Sequence, residues 1–333
     1  MTEESAIVVE VTRGDIVESL HRVAACAVDA AGREIYTAGN VEMPVYLRST
    51  AKPFIAAAAI EAGAREAFGL DQREIAVMAA SHSGEPMHVE AVRSILHKIG
   101  MDGSALQCGT HAPYDEASAR ALLLAGEPPT VLHNNCSGKH AGILALCKCI
   151  GADPTTYLSP QNPAQRCILD LCARLSDDDS QTWPLAVDGC GIPVYATTLR
   201  RAARSFARFA SLSNMLDSDA EALRVVRDAM VAYPEYVAGT GQFDTELMRA
   251  GRGGIAAKAG AEGVHGVAAI ALGYGYVSKV IDGGSRGRGP STVGVLRRIG
   301  VLDERQCAEL ERFARPALYN RAGVAVGEVR AIV

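Results

Sequence analysis

Residues 253–281 read GGIAAKAGAEGVHGVAAIALGYGYVSKVI. Three apolar runs, 253–259, 264–272 and 275–281, are parted by short glycine-bearing turns, which is the spacing of consecutive strands. Farther out, 325–333 (AVGEVRAIV) reads as another strand, while 290–299 and 303–313 read as helices. The opposite end of the chain behaves alike. Residues 6–12, 22–29 and 33–37 alternate or run apolar, with Gly14-Asp15 and Ala31-Gly32 as punctuation. Between the two ends the period changes. Apolar side chains recur at three- and four-residue steps over 53–62, 71–80, 85–99 and 115–125, then 140–150, 162–175, 197–211 and 218–231. Asp217 and Ser218 are candidate caps for the last of these. The simplest solution is a single α+β domain over 1–333. Its sheet comes from about 1–50 and 250–333, and a mostly helical region of about 51–249 is inserted. Hairpin-length connections make the sheet largely antiparallel.

The totals agree with a globular protein. The 333 residues are 48% hydrophobic and 21% charged, enough for a substantial core. The net charge is −5, and no basic run or face stands out, so nucleic acid is not an expected partner. The acidic start Met1-Thr2-Glu3-Glu4-Ser5 is not a signal peptide, and no stretch approaches a membrane span, so the expected location is cytoplasmic. Nine irregularly spaced cysteines do not form a disulfide framework. Cys147, Cys149, Cys167 and Cys172 sit in helix-like runs as small hydrophobes, whereas Cys136 and Cys190 lie in polar, glycine-containing turns.

Asn134-Asn135-Cys136-Ser137-Gly138-Lys139-His140 carries the densest chemistry. It reads as a polar loop, bent at Gly138, that feeds a helix N-terminus, where free N–H groups favour anions such as thiolate. In Arg48-Ser49-Thr50-Ala51-Lys52-Pro53, Ser49 and Lys52 are three apart, which puts both on one face of a helical turn. A neutral lysine amine there can take a serine proton; a serine cap beside a solvated lysine is the plainer reading. Ser81-His82-Ser83-Gly84-Glu85 packs two hydroxyls and an imidazole into one turn between helices, with Ser83 or Gly84 as a possible cap. Asp188-Gly189-Cys190-Gly191-Ile192-Pro193 ends the strand-like run 185–187, and Lys258 lies on a strand followed by small residues. Ala238-Gly239-Thr240-Gly241-Gln242-Phe243-Asp244 is glycine-rich but lacks the spacing and the lysine of a phosphate loop. Cys136, Lys139 and Cys190 form a conceivable tetrahedral metal set with one position open, although His133 or His140 would be commoner ligands by type.

Together, LRSTAKPF (47–54), SHSGE (81–85), NNCSGKHAG (134–142), DGCGIP (188–193), AGTGQFDTELM (238–248) and KAGAEGV (258–264) resemble the rhizobial-type L-asparaginases, in order and spacing along nearly the whole chain. The resemblance implies hydrolysis of L-asparagine to L-aspartate and ammonia, and a fold like the serine β-lactamases and Ser-dependent glutaminases. It implies a first pair of Ser49 as nucleophile with Lys52, and a second pair of Ser81 with Lys258. It also implies a Zn2+ site at Cys136, Lys139 and Cys190, and a homodimer. By charge, Arg48 and Asp188 are candidates for the substrate's α-carboxylate and α-ammonium, with a structural ion pair as the equal alternative for either, and His82 and Asn134 are further substrate-binding candidates. Ser83 and the Lys258-Ala259-Gly260 triplet depart from the corresponding β-lactamase motifs. The competing readings are a Ser–Lys hydrolase of another amide or a β-lactam, and a non-catalytic zinc or amino-acid binding protein.

Overall fold

The computed structural model describes residues 6–333; the acidic run 1–5 lies outside them. The strands are β1 Ile7–Arg13, β2 Ile16–Asp29, β3 Glu34–Ala38, β4 Pro44–Tyr46, β5 Leu185–Val187, β6 Pro193–Thr198, β7 Ile255–Ala259, β8 Val264–Ala269, β9 Tyr274–Val280, β10 Ala317–Tyr319 and β11 Ala325–Ile332. The helices are α1 Lys52–Glu61, α2 Ala64–Phe68, α3 Gln72–Met78, α4 Pro86–Lys98, α5 Glu116–Ala125, α6 Ser137–Ile150, α7 Pro163–Ser176, α8 Leu199–Ser211, α9 Asp217–Ala232, α10 Pro234–Val237, α11 Phe243–Ala250, α12 Arg288–Arg298, α13 Glu304–Glu309 and α14 Glu311–Ala314.

These elements form two compact units. One takes the chain up to Thr50, then Thr197–Asn214 and Glu246–Val333; the other is Ala51–Ala196 with Met215–Thr245. The segment around α8 therefore groups with the sheet rather than with the helices that flank it in sequence.

The first unit is built on a sheet ordered β10-β11-β1-β2-β9-β8-β7, with β3 paired to β2. Its ladders are antiparallel: Val9 faces His21 and Ala331, Ala25 faces Ser278, and Lys258 faces Gly266. Strand β2 begins six residues earlier than the apolar run suggests, because Ile16–Leu20 pair with β1 while staying largely exposed. From Val23 to Val28 the same strand is at most 1% exposed, so it is covered on both faces. Helix α8 covers one of them. A Cβ on Gly275 would lie 2.0 Å from Ala207 N and 2.1 Å from Ala203 O, and one on Gly266 would lie 2.2 Å from the Phe206 ring. Two glycines thus let a helix rest on strand backbone. Helix α12 packs on the opposite face, where His265 Nδ1 meets Thr292 Oγ1 at 2.9 Å.

In the second unit, α1 is buried from Lys52 to Ile60 on every side, as an all-apolar helix must be. Burying Phe54, Ile55 and Ile60 contributes roughly 1.5–3 kcal/mol each. Helix α6 is similarly enclosed, from Ser137 to Cys147. Gly138 does not bend a loop. It lies in the first turn of α6, where a Cβ would be 2.1 Å from Val77 O, so it permits close crossing over α3. Helix α9 starts at Asp217 without a side-chain cap. Of the two expected caps, Asp217 sits in the first turn, where its charge suits the dipole, and Ser218 Oγ instead donates to Glu61 Oε1 at 3.3 Å. Buried Asp219 accepts Arg174, which also reaches Glu61, joining α9, α7 and α1.

Candidate active site

Lys52 is the first residue of α1, with Pro53 in the first turn, where its missing N–H costs nothing. The ammonium end is 1% exposed. It lies 2.7 Å from Ala80 O, 2.8 Å from Ser81 Oγ and 3.4 Å from Asn135 O. Burial pushes its pKa below 10.5, and the Lys139 charge adds to this; Cys136 and Cys190 act in the opposite sense. Nζ donates to the two carbonyls and to Ser81 Oγ, and Cys136 is a further hydrogen-bond partner.

Two loops bring these groups together. The turn after α3 is tied down by Ser81 N–H to Val237 O at 2.9 Å and His82 N–H to Asn135 O at 3.2 Å. His82 is fully buried: Nδ1 accepts from Gly84 N–H at 3.2 Å, so Nε2 carries the proton toward Ser137 Oγ at 2.9 Å. Burial and the neighbouring His88 hold it neutral. The ring thus ties its own 81–84 turn to the first residue of α6. Asn134 serves the same loop: its amide donates to Cys108 O and Gly109 O at 2.9 and 3.1 Å, and its Oδ1 accepts Cys136 N–H at 2.8 Å.

Cys136 occupies the N-cap position of α6 and Lys139 lies one turn on. Cys190 arrives on the tight turn joining β5 to β6, closed by Gly191 N–H to Asp188 O at 2.8 Å with Gly191 at φ +90°. Lys139 Nζ is 2.7 Å from Cys190 Sγ, and all three side chains are buried. Cys190 gives its S–H to Cys136, which lowers the Cys136 pKa well below 9.0 and raises that of Cys190; the charges of Lys139 and Lys52 assist Cys136. Burial presses the Lys139 ammonium down, but the two sulfurs and then Asp188 outweigh this, and its pKa is raised. All nine cysteines are free thiols.

Zinc is the metal the resemblance implies, and the donors present suit it once Lys139 gives up its proton: two buried sulfurs hydrogen-bonded to each other, with the Lys139 nitrogen 2.7 Å from Cys190 Sγ. Among the described residues no group of three or more His, Cys, Asp or Glu gathers as metal ligands, so the nitrogen donor would have to be Lys139. His140 Nδ1 is 2.7 Å from Tyr157 Oη, and His133 Nδ1 accepts Thr130 N–H at 2.9 Å.

Arg48, Ser49 and Lys258 belong to the sheet unit. Arg48 has φ +49°, a left-handed conformation that costs a non-glycine residue of order 1–3 kcal/mol, directly before the half-buried Ser49. Lys258 is fully buried on β7 and donates to Ala259 O at 2.7 Å. Two residues on, a Cβ at Gly260 would lie 3.2 Å from Thr50 Cγ2 and 3.4 Å from Leu47 O, so the end of β7 abuts the Ser49 turn.

A family model described as L-asparaginase II matches residues 9–331. The chain belongs to the L-asparaginase II family. It is therefore an L-asparaginase-type amidohydrolase. Solved structures of Mglu also align with this asparaginase. One aligns at 16% identity over 84% of this chain and 67% of that chain, with TM-score 0.38. A second, the native form in 4.3 M NaCl, does so at 17% identity over 84% and 60%, with TM-score 0.36. This chain spans about 60–67% of the length of the Mglu chains. Comparison with curated proteins found no match.

Sequence reading missed three groups around the asparaginase's Lys52. Asn135 supplies a carbonyl to both Lys52 and His82, and Ala80 supplies another. His111 Nε2 accepts Asn135 N–H at 2.9 Å and so fixes the peptide just before the one that bears this carbonyl. Backbone acceptors have no residue-type signature, and His111 sits in a loop without periodicity.

Proposed function

We propose that this enzyme hydrolyses L-asparagine to L-aspartate and ammonia through a serine activated by Lys52, as a rhizobial-type member of its family. The observation that carries the reading is the buried Lys52 amine, its pKa lowered by burial, hydrogen-bonded to Ser81 Oγ at 2.8 Å. A neutral amine beside a hydroxyl is a general base without histidine.

In the proposed mechanism the nucleophile is Ser49, three residues before Lys52 in one helical run. Its O–H proton passes to the Lys52 amine as Oγ attacks the side-chain amide carbon. Ser81, bonded to Lys52, relays that proton to the departing nitrogen, and ammonia leaves. Water then hydrolyses the acyl-enzyme to L-aspartate and restores the serine. Lys258 is assigned to the same proton path, and Arg48 and Asp188 to the substrate's charged ends. His82 and Asn134 hold the loops that present these groups. Cys136, Lys139 and Cys190 would hold Zn2+, which when bound supplies a Lewis acid and cross-links the start of α6 to the 188–193 turn.

A second reading makes Ser81 the nucleophile, because the hydrogen bond found for Lys52 on a serine goes to Ser81. Trapping the acyl-enzyme and locating the modified peptide by mass spectrometry separates the two.

An antiparallel sheet drawn from both ends of the chain supports a β-lactamase- and glutaminase-like fold. Nine free thiols support a reducing, cytoplasmic setting. No described helix is long and apolar enough to cross a membrane. A homodimer is carried over from the resemblance. The deciding experiment is ammonia release from L-asparagine and L-glutamine, measured side by side with untagged protein. Release from asparagine with little from glutamine is expected; release from neither by folded protein would require withdrawing the mechanism.

A further inference from the structure

The glycine-rich stretch 238–242 has no part in the mechanism above, yet it is fastened to the turn that carries Ser81. Glu85 is the fastener. Its Oε1 accepts the Ser83 O–H at 2.6 Å and Thr240 N–H at 2.8 Å, and its Oε2 accepts the Thr240 O–H at 2.7 Å. Its own N–H goes to His88 Nδ1 at 3.1 Å, at the N-cap of α4. The loop is shaped to receive this carboxylate. Gly239 has φ +125°, which side-chain-bearing residues rarely adopt, and a Cβ there would lie 2.1 Å from Ser83 Oγ and 3.0 Å from Glu85 Oε1. Thr245 Oγ1 holds the far side of the loop by donating to Gly239 O at 2.7 Å. The segment just before it is riveted to the same turn, by His88 Nε2–H to Glu235 O at 2.9 Å and by Ser81 N–H to Val237 O at 2.9 Å.

We infer that Glu85 is a positioning residue: it clasps the 238–242 loop to the Ser81 turn and thereby sets where Ser81 Oγ stands against Lys52. The inference rests on the proposed role of Ser81 in the reaction. Three donors converge on one carboxylate, and charge-assisted bonds of this kind are the stronger ones. Glutamine at this position would turn an amide donor toward one of those donors. A serine displaced by about 1 Å from its base loses on the order of 100-fold in rate.

The test is a double-mutant cycle in the full-length enzyme, combining Glu85→Gln with Ser81→Ala, read by kcat and KM for L-asparagine and by amide hydrogen exchange of the 238–242 peptide. Glu85→Gln is expected to lower kcat by about 10- to 100-fold with KM within about twofold, and to speed exchange of the loop. The double variant should be no slower than Ser81→Ala alone, since Glu85 acts through Ser81. Thr240→Val, which removes one bond and keeps the shape, should fall between wild type and Glu85→Gln. Unchanged exchange in Glu85→Gln would overturn the clasp whatever the kinetics. Faster exchange with unchanged kcat would overturn the positioning role, as would multiplicative losses in the double variant. Full activity of Ser81→Ala would instead refute the Ser81 reading, with the exchange result still deciding whether the clasp exists.

Discussion

Lys52 Nζ and Ser81 Oγ, 29 residues apart in the chain, meet at 2.8 Å inside the helical unit. The amine sits at the start of one helix and the hydroxyl in the turn after another, and the Ala80 and Asn135 carbonyls aim its remaining hydrogens. The amine is thus held among hydrogen-bond partners inside the unit rather than in solvent.

Lys52→Arg fixes a positive charge at this position and removes the base, because a guanidinium does not lose its proton. The expected kcat is lower by about 1,000-fold with the fold unchanged by circular dichroism. An arginine variant that keeps a tenth of wild-type activity would remove Lys52 as the base.

The pH dependence follows from the same amine. Its folded pKa lies below 10.5 and the neutral form is the working one, so kcat/KM should fall as pH drops through the folded value and level off above it. The sign for stability agrees: between the folded pKa and 10.5 the unfolded chain binds the extra proton, so the Lys52 contribution rises with pH. A pH–rate profile with no loss of activity on the acid side would contradict this assignment.

Metal content tests the three-donor set. Protein purified without a metal-affinity column should contain about one zinc per chain, and Cys136→Ser or Cys190→Ser should lose most of it. Lys139→Met should lower the zinc content too, since no other nitrogen takes its place among the described ligand types. Metal-free wild-type protein with full activity would take zinc out of the function.

Gly138→Ala should destabilise the protein by about 3 kcal/mol, because its Cβ would meet Val77 O at 2.1 Å where two helices cross. Gly189→Ala is the control. No atom lies within 4 Å of its Cβ, and the expected change is within about 0.5 kcal/mol. Urea denaturation of the two variants measures the contrast; equal midpoints would show that α6 can shift away from α3.

Local signals in the sequence carried far. Pro53 marked the start of α1, whereas the polar run 134–140 pointed to a helix from 140 that begins instead at Ser137. The alternation at both chain ends located strands that proved antiparallel. These features depend on neighbours within a few residues, where backbone preference and periodicity act. The caps expected at Asp217 and Ser218 failed for a tertiary reason: the long-range partners of Asp219 and Ser218, Arg174 and Glu61, set that helix start.

By itself, then, the sequence determined the longer helices and the strands at both chain ends, though not short elements such as β4, β6, β10, α2 and α11, and it determined which stretches carry reactive side chains and the family to which their order belongs. The tertiary structure alone decided which serine Lys52 touches, that α8 joins the sheet through Gly266 and Gly275, that Gly138 serves a helix crossing, and that Glu85 holds the 238–242 loop. The reason is physical. A motif states which groups are present, but a hydrogen bond between residues 29 or 155 positions apart depends on how whole helices pack, and no local pattern encodes that distance.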